Sequence, residues 1–254
     1  MIVTPQHIRD ALALPPGGAA ARRLPKDVFA QHGAANAADR KAIDKVIERL
    51  DWWATLSPST IGIAAGTDED RPVPAIQLLA MTAREPPTQR LLTMVHRAIP
   101  VPVILLTALP GAGGTRLSLA PLRRAERVGD KMVVERLVAA PDLIDTDEAA
   151  TSALIDSLAL TRLPQRNLAA LYEGLIERAE ALEVARLSGG AFRLTDDPAA
   201  RREALARYGD AEAEWAALRA LAKKEKVLSK QVALGTRVRE LRQKADILRS
   251  RLKG

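Results

Sequence analysis

The chain has 254 residues, of which 47% are hydrophobic and 27% charged, the composition of a folded globular protein with one large domain or two modest ones. It contains no cysteine, which excludes disulfides, thiolate zinc sites, iron–sulfur clusters and cysteine nucleophiles and is typical of a reducing cytosol. The longest apolar run, residues 101–109, is too short to span a bilayer, so we expect a cytoplasmic protein without a membrane segment or signal peptide.

The first part of the chain predicts helices and strands in alternation. Hydrophobic spacing over residues 43–50 predicts an amphipathic helix, and alternation at 61–63 predicts a strand. A buried strand is expected at 73–83, followed by a helix that Thr88 caps. Residues 103–107 are apolar and rich in branched side chains, and they predict the central strand of a sheet.

Two alternating segments, residues 116–122 and 131–138, predict further strands. The glycine-rich loop at 111–114 is interpreted as a hairpin turn, because a phosphate-binding loop would be followed by a helix rather than a strand. These elements predict an α/β (α+β) domain over residues 1–145, with a mixed sheet and flanking helices.

Residues 146–254 predict only helices. An amphipathic helix is expected at 164–187, and residues 210–252 contain no proline and predict one long helix of ~60 Å. The apolar residues of this arm alternate between spacings of four and three, which is typical of a coiled-coil seam, although Gly235 interrupts or weakens it. The seam consists of Ala245 and five larger residues, which we interpret as partner-binding: Leu234, Val238, Leu241, Leu248 and Leu252.

The formal net charge of +7 is concentrated in this arm. Residues 219–254 contain 12 lysines and arginines and three acids, a net charge of +9, whereas residues 1–218 carry −2. A local density of cations attracts polyanions such as nucleic acids. The predicted nucleic-acid-binding residues are Lys223, Lys224, Lys226, Lys230, Arg237, Arg239, Arg242, Lys244, Arg249 and Arg251. The alternative is a solvated coiled-coil surface.

Cations flank the seam on both sides, with Arg237, Lys244 and Arg251 along one side at seven-residue spacing. In a parallel homodimer these rows would face like charges and repel. We therefore expect the seam to be buried against another helix of the chain such as residues 164–187, against an acidic partner helix, or in an antiparallel dimer.

Acidic residues give no clear catalytic or metal site. Asp68, Glu69 and Asp70 form one cluster and Asp142 belongs to another, but neither matches a calcium loop or a two-metal spacing. We interpret them as solvated loop or helix-cap acids. The sequence therefore predicts no catalytic residue, no metal ligand and no cofactor.

The histidines and tryptophans also have ordinary interpretations. His7, His32 and His96 lie in separate elements without ligand spacing. Trp52 and Trp53 could stack on bases, yet they lie between an amphipathic helix and a strand. We expect at least one of the two to lie in the core.

Five short segments occur in a fixed order along the chain: residues 24–26 (LPK), 56–61 (LSPSTI), 98–104 (AIPVPVI), 169–173 (AALYE) and 224–234. Together they resemble the bacterial family DUF4391, a domain of unknown function. The resemblance extends over most of the chain. It implies a bacterial cytosolic protein with an α/β domain and a helical tail, often encoded beside a helicase and a DNA methyltransferase in defence loci. It implies no established activity.

The sequence also departs from the pattern of this family. Relatives carry an acid at the start of the strand at 73–83 and a lysine at its end, where this chain has Pro74 and Ala75, then Arg84. A restriction-type nuclease would need such carboxylates and a lysine to hold Mg²⁺ and activate water. The departure argues against nuclease activity.

Three hypotheses follow. The first is a non-enzymatic accessory subunit of a DNA-modification or anti-phage system, which binds a helicase or methyltransferase and contacts DNA through the basic arm. The second is a metal-dependent nuclease whose loop carboxylates are chiefly Asp68, Glu69, Asp70 and Asp142. The third is a homo-oligomeric scaffold without a role at DNA.

Overall fold

The computed structural model describes residues 1–16, 19–126 and 131–252. The chain divides into two compact units, Met1–Leu182 and Glu183–Gly254. The expected domain boundary near residue 145 lies inside the first unit. No helix in the described part of the chain is both long and apolar enough to cross a membrane.

The first unit is built around a mixed β-sheet, as the sequence predicted. Its strands in chain order are β1 (Ala19–Arg23), β2 (Ile47–Leu56), β3 (Ile76–Ala83), β4 (Val103–Ala108), β5 (Thr115–Leu119), β6 (Leu122–Arg124), β7 (Met132–Val134) and β8 (Val138–Ala139). Six of them form one sheet in the order β1-β2-β3-β4-β5-β8, and β6 pairs with β7 separately. Only β3 and β4 run parallel among these pairs, and the other pairs are antiparallel.

Nine α-helices are assigned in the described residues. They are α1 (Pro5–Ala11), α2 (Lys26–His32), α3 (Ala37–Val46), α4 (Pro58–Ile61), α5 (Gln89–Arg97), α6 (Ala149–Ser157), α7 (Leu168–Ser188), α8 (Pro198–Lys224) and α9 (Leu228–Arg251). Helix α5 is the crossover between the parallel strands β3 and β4, which cannot be joined by a tight turn. Thr88 caps α5 as predicted, because its Oγ1 accepts a hydrogen bond from the Leu91 amide at 3.2 Å.

The core lies between the sheet and the helices that cover it. Leu79 and Leu105 of the central strands are buried together with Leu92 and Val95 of α5. The hydroxyl of Tyr172 joins α7 to the sheet, because it donates to the Val103 carbonyl at 2.8 Å and accepts from the Ala120 amide at 2.8 Å. Burial raises the pKa of this hydroxyl, so it keeps the proton that it donates.

The loop at residues 111–114 is a hairpin turn between β4 and β5, as predicted. Gly114 in this turn has a φ of +73°, and a Cβ atom there would lie 2.1 Å from the Leu143 carbonyl oxygen. Only glycine fits this position, because the backbone of residue 143 lies directly against it.

Three predictions in the first unit were wrong. Residues 131–138 form two short strands, β7 and β8, which belong to different sheets, instead of one strand. Residues 47–50 continue into β2 instead of α3, because β2 pairs with β3 along its length and the ladder hydrogen bonds override the helical spacing. The strand predicted at 61–63 does not form, because Ile61 ends the short helix α4 and residues 62 and 63 lie outside any strand. Pro58 occupies the first turn of that helix, and Ser57 and Thr60 form a capping box around it.

The second unit consists mainly of α8 and α9, which pack against each other. The prediction of a single helix over residues 210–252 is therefore wrong, since residues 225–227 are not helical. There the Glu225 carboxylate accepts hydrogen bonds from the Lys226 and Val227 amides, both at 2.8 Å. Helix α8 begins earlier than expected, where Asp197 caps the Ala200 amide at 2.9 Å. We call α8, α9 and their link the hairpin.

Candidate nucleic-acid interface

The formal charge of the protein follows its division into two units. Residues 1–182 contain 21 basic and 21 acidic side chains, whereas residues 183–254 contain 17 basic and ten acidic ones. The first unit is therefore neutral, and the second carries the whole net charge of +7. Within the hairpin, α9 has seven cations and two acids, which makes it the most basic helix of the two.

The apolar seam of α9 is covered within the hairpin to different extents. Leu241, Ala245 and Leu252 are buried, and the remaining seam residues Leu234, Val238 and Leu248 are half-buried. The helix that packs on α9 within the second unit is α8. A helix of the same chain was one of the three alternatives for covering the seam, and α8 was not the helix named for it. Whether the seam binds a partner stays a prediction.

Polar and aromatic contacts hold the two helices together beside the seam. Arg242 Nη1 lies 3.1 Å from Glu212 Oε1 of α8. The guanidinium carbons of Arg219 and Arg242 lie over the Trp215 ring of α8, at 5.1 and 5.0 Å from the centroid of the ring. Contacts of residue 242 with residues 212 and 215, across a three-residue link, define an antiparallel pair of helices.

Three of the ten predicted nucleic-acid-binding residues have acidic partners inside the hairpin. Asp246 lies 3.3 Å from both Arg242 and Arg249, and Arg237 lies 3.2 Å from Glu240. These pairs reduce the charge that a polyanion would meet at Arg237, Arg242 and Arg249. The contacts of Trp215 and Glu212 with α9 were missed in the sequence, because residues 210–252 were predicted as one continuous helix, which cannot fold back on itself.

The other seven predicted residues are exposed and form no ion pair with any described residue. They are Lys223, Lys224, Lys226, Lys230, Arg239, Lys244 and Arg251. Four cations on α9 share one side because they repeat every seven residues, and we call Lys230, Arg237, Lys244 and Arg251 the basic row. At 1.5 Å per residue the row spans ~31 Å, close to one turn of B-DNA at about 34 Å.

The acids considered for a nuclease do not form one site. Asp68 and Asp70 line an open cleft together with arginines and other acids. One of these arginines, Arg71, binds Glu135 through two hydrogen bonds of 3.1 and 2.8 Å. Asp142 instead accepts two hydrogen bonds from Arg116 at 2.6 and 3.0 Å.

The described residues give no candidate site for a metal ion. Residues 1–16, 19–126 and 131–252 contain no group of three His, Asp or Glu side chains placed to hold a metal ion. The Asp68 carboxylate accepts hydrogen bonds from the Asp70 and Arg71 amides at 2.9 and 2.8 Å, and Glu69 is exposed. This is the geometry of a loop-stabilising acid.

The histidines and tryptophans occupy separate places. His96 is buried and lies 3.0 Å from the Ser118 hydroxyl, and burial lowers its pKa to about 3. His7 Nδ1 accepts from the Thr4 amide as part of the α1 cap, and His32 is exposed. Trp52 packs against the core, which confirms the expectation for one of the two tryptophans.

The fold and the charge distribution define an α/β protein that carries a basic helical hairpin. A model of the family DUF4391, described as a domain of unknown function, matches residues 12–244, nearly the whole chain. The protein therefore belongs to the DUF4391 family. No curated protein and no solved structure gives a significant match.

Proposed function

We propose that the protein is a non-catalytic accessory subunit of a bacterial DNA-modification or anti-phage system. In this role it binds a helicase or a DNA methyltransferase and contacts DNA through the basic row of α9. The observation that carries the DNA contact is the row of exposed cations, of which Lys230, Lys244 and Arg251 form no ion pair with any described residue. The likeness of the five sequence segments to family members encoded beside such enzymes supports the choice of partner.

Electrostatics make the basic row a suitable surface for a phosphate backbone. Each phosphate contact releases condensed counterions, which is the main driving force for sequence-independent binding. Four contacts correspond to a slope of about −3.6 for the logarithm of the binding constant against the logarithm of salt concentration. The contacts expected from the row are therefore to phosphates and not to base edges.

The hairpin would present the row as a preformed surface. The seam residues Leu241 and Ala245 are buried, and the Arg242–Glu212 pair and the Trp215 ring hold α9 on α8. A preformed surface loses less conformational entropy on binding than a flexible basic tail does. The basic row borders the buried seam of α9 and its cations stay exposed, so they would be accessible to DNA while α8 covers the seam.

The test is a salt series of DNA binding with the full-length chain and one charge variant. The variant replaces the basic row by glutamine: Lys230→Gln, Arg237→Gln, Lys244→Gln and Arg251→Gln. We expect the wild-type slope near −3.6 to approach zero in this variant, since four phosphate contacts are removed. Fluorescence anisotropy with labelled double- and single-stranded fragments measures the slope.

A matched control removes the same amount of charge from the first unit. Arg22, Arg23, Arg40 and Lys41 are exposed and form no ion pair with the described residues, so their replacement by glutamine lowers the net charge equally. The control should keep the wild-type slope. Equal losses in both variants would show that net charge alone attracts DNA, and would contradict the basic row as the interface.

The partner is tested separately by co-purification of the full-length chain with the helicase and the methyltransferase. A stable complex in which the basic-row variant still takes part would support the accessory role. A protein that binds neither enzyme and no DNA, and that forms homo-oligomers in light scattering, would instead favour the scaffold hypothesis.

A further inference from the structure

The end of the hairpin exposes large aliphatic side chains. Four of them lie within residues 221–232, which we call the hairpin tip: Leu221 is 59% exposed, Val227 50%, Leu228 73% and Val232 62%. Leu228 and Val232 are neighbours on α9, because residues four apart share one side of a helix. A cluster of exposed aliphatic side chains in a short segment is a common feature of interaction surfaces.

The rim of the hairpin tip is cationic. Lys223, Lys224, Lys226 and Lys230 are exposed and form no ion pair with any described residue. Glu225 is the only acid of the tip, and its Oε1 accepts hydrogen bonds from the backbone amides of Lys226 and Val227. The tip therefore has a net charge of +3 around an apolar centre.

From this arrangement we infer that the hairpin tip docks an acidic, apolar helix of a partner protein. Leucine and valine side chains of the tip would pack against the apolar stripe of that helix, and the lysine rim would pair with carboxylates beside the stripe. The inference rests on the accessory role proposed above and adds the surface and chemistry of the protein–protein contact.

Repulsion between like charges argues against a second copy of this chain as the occupant of the tip. Two tips placed together would bring eight lysines face to face, which costs free energy for every pair of like charges. DNA is also a poor occupant, because phosphates give the exposed aliphatic side chains nothing apolar to contact.

A lipid surface fits the hairpin tip less well than a protein does. Residues 221–232 contain no tryptophan, tyrosine or phenylalanine, although aromatic side chains are the usual anchors at a membrane interface. Beyond Val232, α9 exposes arginines and lysines rather than a continuous apolar side. The apolar area is thus confined to the tip, as expected for a local contact with one helix.

The test uses the full-length chain and a designed probe peptide. The probe is a helical peptide of about 20 residues, long enough to form a helix in water, with leucines along one side and glutamates elsewhere. A control peptide has glutamine in place of each glutamate. We expect the acidic probe to bind the wild-type chain at least tenfold more tightly than the glutamine control.

The tip variant Leu228→Gln/Val232→Gln keeps every cation. Its affinity for the acidic probe should be about tenfold lower than that of the wild type, or lower still. The matched control Ile247→Gln changes an aliphatic residue of α9 that is 54% exposed but lies outside the tip, and it should bind like wild type. The triple variant Arg237→Gln/Lys244→Gln/Arg251→Gln leaves the tip lysine Lys230 in place. It should bind the probe like wild type and lose most of the salt dependence of DNA binding.

These readouts separate the two proposals. If the triple variant loses DNA binding and the wild type does not bind the acidic probe, docking at the tip is overturned and the proposed DNA contact is retained. Equal binding of the probe by wild type and by Leu228→Gln/Val232→Gln would also overturn it. Binding of the wild-type tip to vesicles with anionic lipids, lost in the same variant and without any peptide binding, would replace the protein partner by a membrane.

Discussion

The two units of the protein use their charged and apolar residues differently. In the first unit, basic and acidic residues are equal in number, and arginines such as Arg71 and Arg116 are bound to neighbouring carboxylates. In the second unit, the cations outnumber the acids, and seven predicted binding residues have no acidic partner among the described residues. The first unit is therefore balanced in charge, and the second has an excess of cations at its surface.

The interiors of the two units differ as well. The central strands of the first unit are covered on both sides, so that Leu105 and Leu106 have no exposed surface. The hairpin has only two helices, and its seam is buried at Leu241, Ala245 and Leu252 but only half-buried at its other three residues. A thin interior gives the hairpin less stabilisation by burial, and its stability depends more on helix propensity and surface contacts.

The largest effect is expected from removing a buried hydroxyl of the first unit. Tyr172→Phe leaves the Ala120 amide and the Val103 carbonyl without their partner inside the protein. Two such buried groups cost about 3 kcal/mol of unfolding free energy together. Urea unfolding followed by circular dichroism measures the change.

The corresponding substitution in the hairpin, to be compared with Tyr172→Phe, is Tyr208→Phe. Tyr208 is half-buried, and its hydroxyl interacts with Glu212 at the surface of the hairpin. This substitution should change the unfolding free energy by less than about 0.5 kcal/mol, since water replaces the lost contact. Equal costs for the two tyrosines would contradict the difference between the interiors.

A pH effect of intermediate size is expected from His96 in the first unit. Burial lowers its pKa to about 3 in the folded protein, whereas the unfolded chain has a value near 6.5. Between these values the unfolded chain binds a proton that the folded protein does not, so stability falls as the pH drops below about 6.5. Between pH 7.5 and pH 5 the loss is about 2 kcal/mol.

Urea midpoints at the two pH values measure the effect of His96. The variant His96→Gln cannot take up this proton, so its stability should change less between pH 7.5 and pH 5 than that of the wild type. His32 is exposed, and His32→Gln should keep the wild-type dependence on pH. An unchanged dependence in His96→Gln would contradict the assignment.

Patterns that involve few neighbours were predictable from the sequence. The strand at residues 103–107, the hairpin turn after it and the cap at Thr88 are confirmed, because local chemistry and short-range pairing determine them. Residues 47–50 were assigned wrongly, because their pairing with β3 is a contact over thirty positions that no local pattern contains.

The candidate interface was predictable in composition and only partly in shape. The ten cations could be named from the local charge, but their division into paired and unpaired ones depends on contacts across the hairpin such as Arg242–Glu212. The break at residues 225–227 contains neither glycine nor proline, so no residue in the link signals it. Asp197 and Pro198 did carry the start signal of α8, and this signal identifies the helix that covers α9.

The smallest expected effect compares two glycines inside helices. Gly235 lies within α9, where a Cβ atom would meet nothing within 4 Å. Gly235→Ala should therefore stabilise the hairpin by about 0.5–1 kcal/mol, because alanine has the higher helix propensity and restricts the unfolded chain. The helical signal of the hairpin during thermal unfolding, followed by circular dichroism, measures this gain.

The matching change in the first unit is Gly174→Ala in α7. There a Cβ atom would lie 2.5 Å from the Pro164 Cδ atom, so a rigid ring must move to make room. This clash outweighs the gain in helix propensity, and we expect destabilisation by about 1–3 kcal/mol. Opposite signs for the same substitution would show that α7 is closely packed and that α9 keeps free space at its seam. A gain in both helices would mean that the first unit tolerates added volume as easily as the hairpin does.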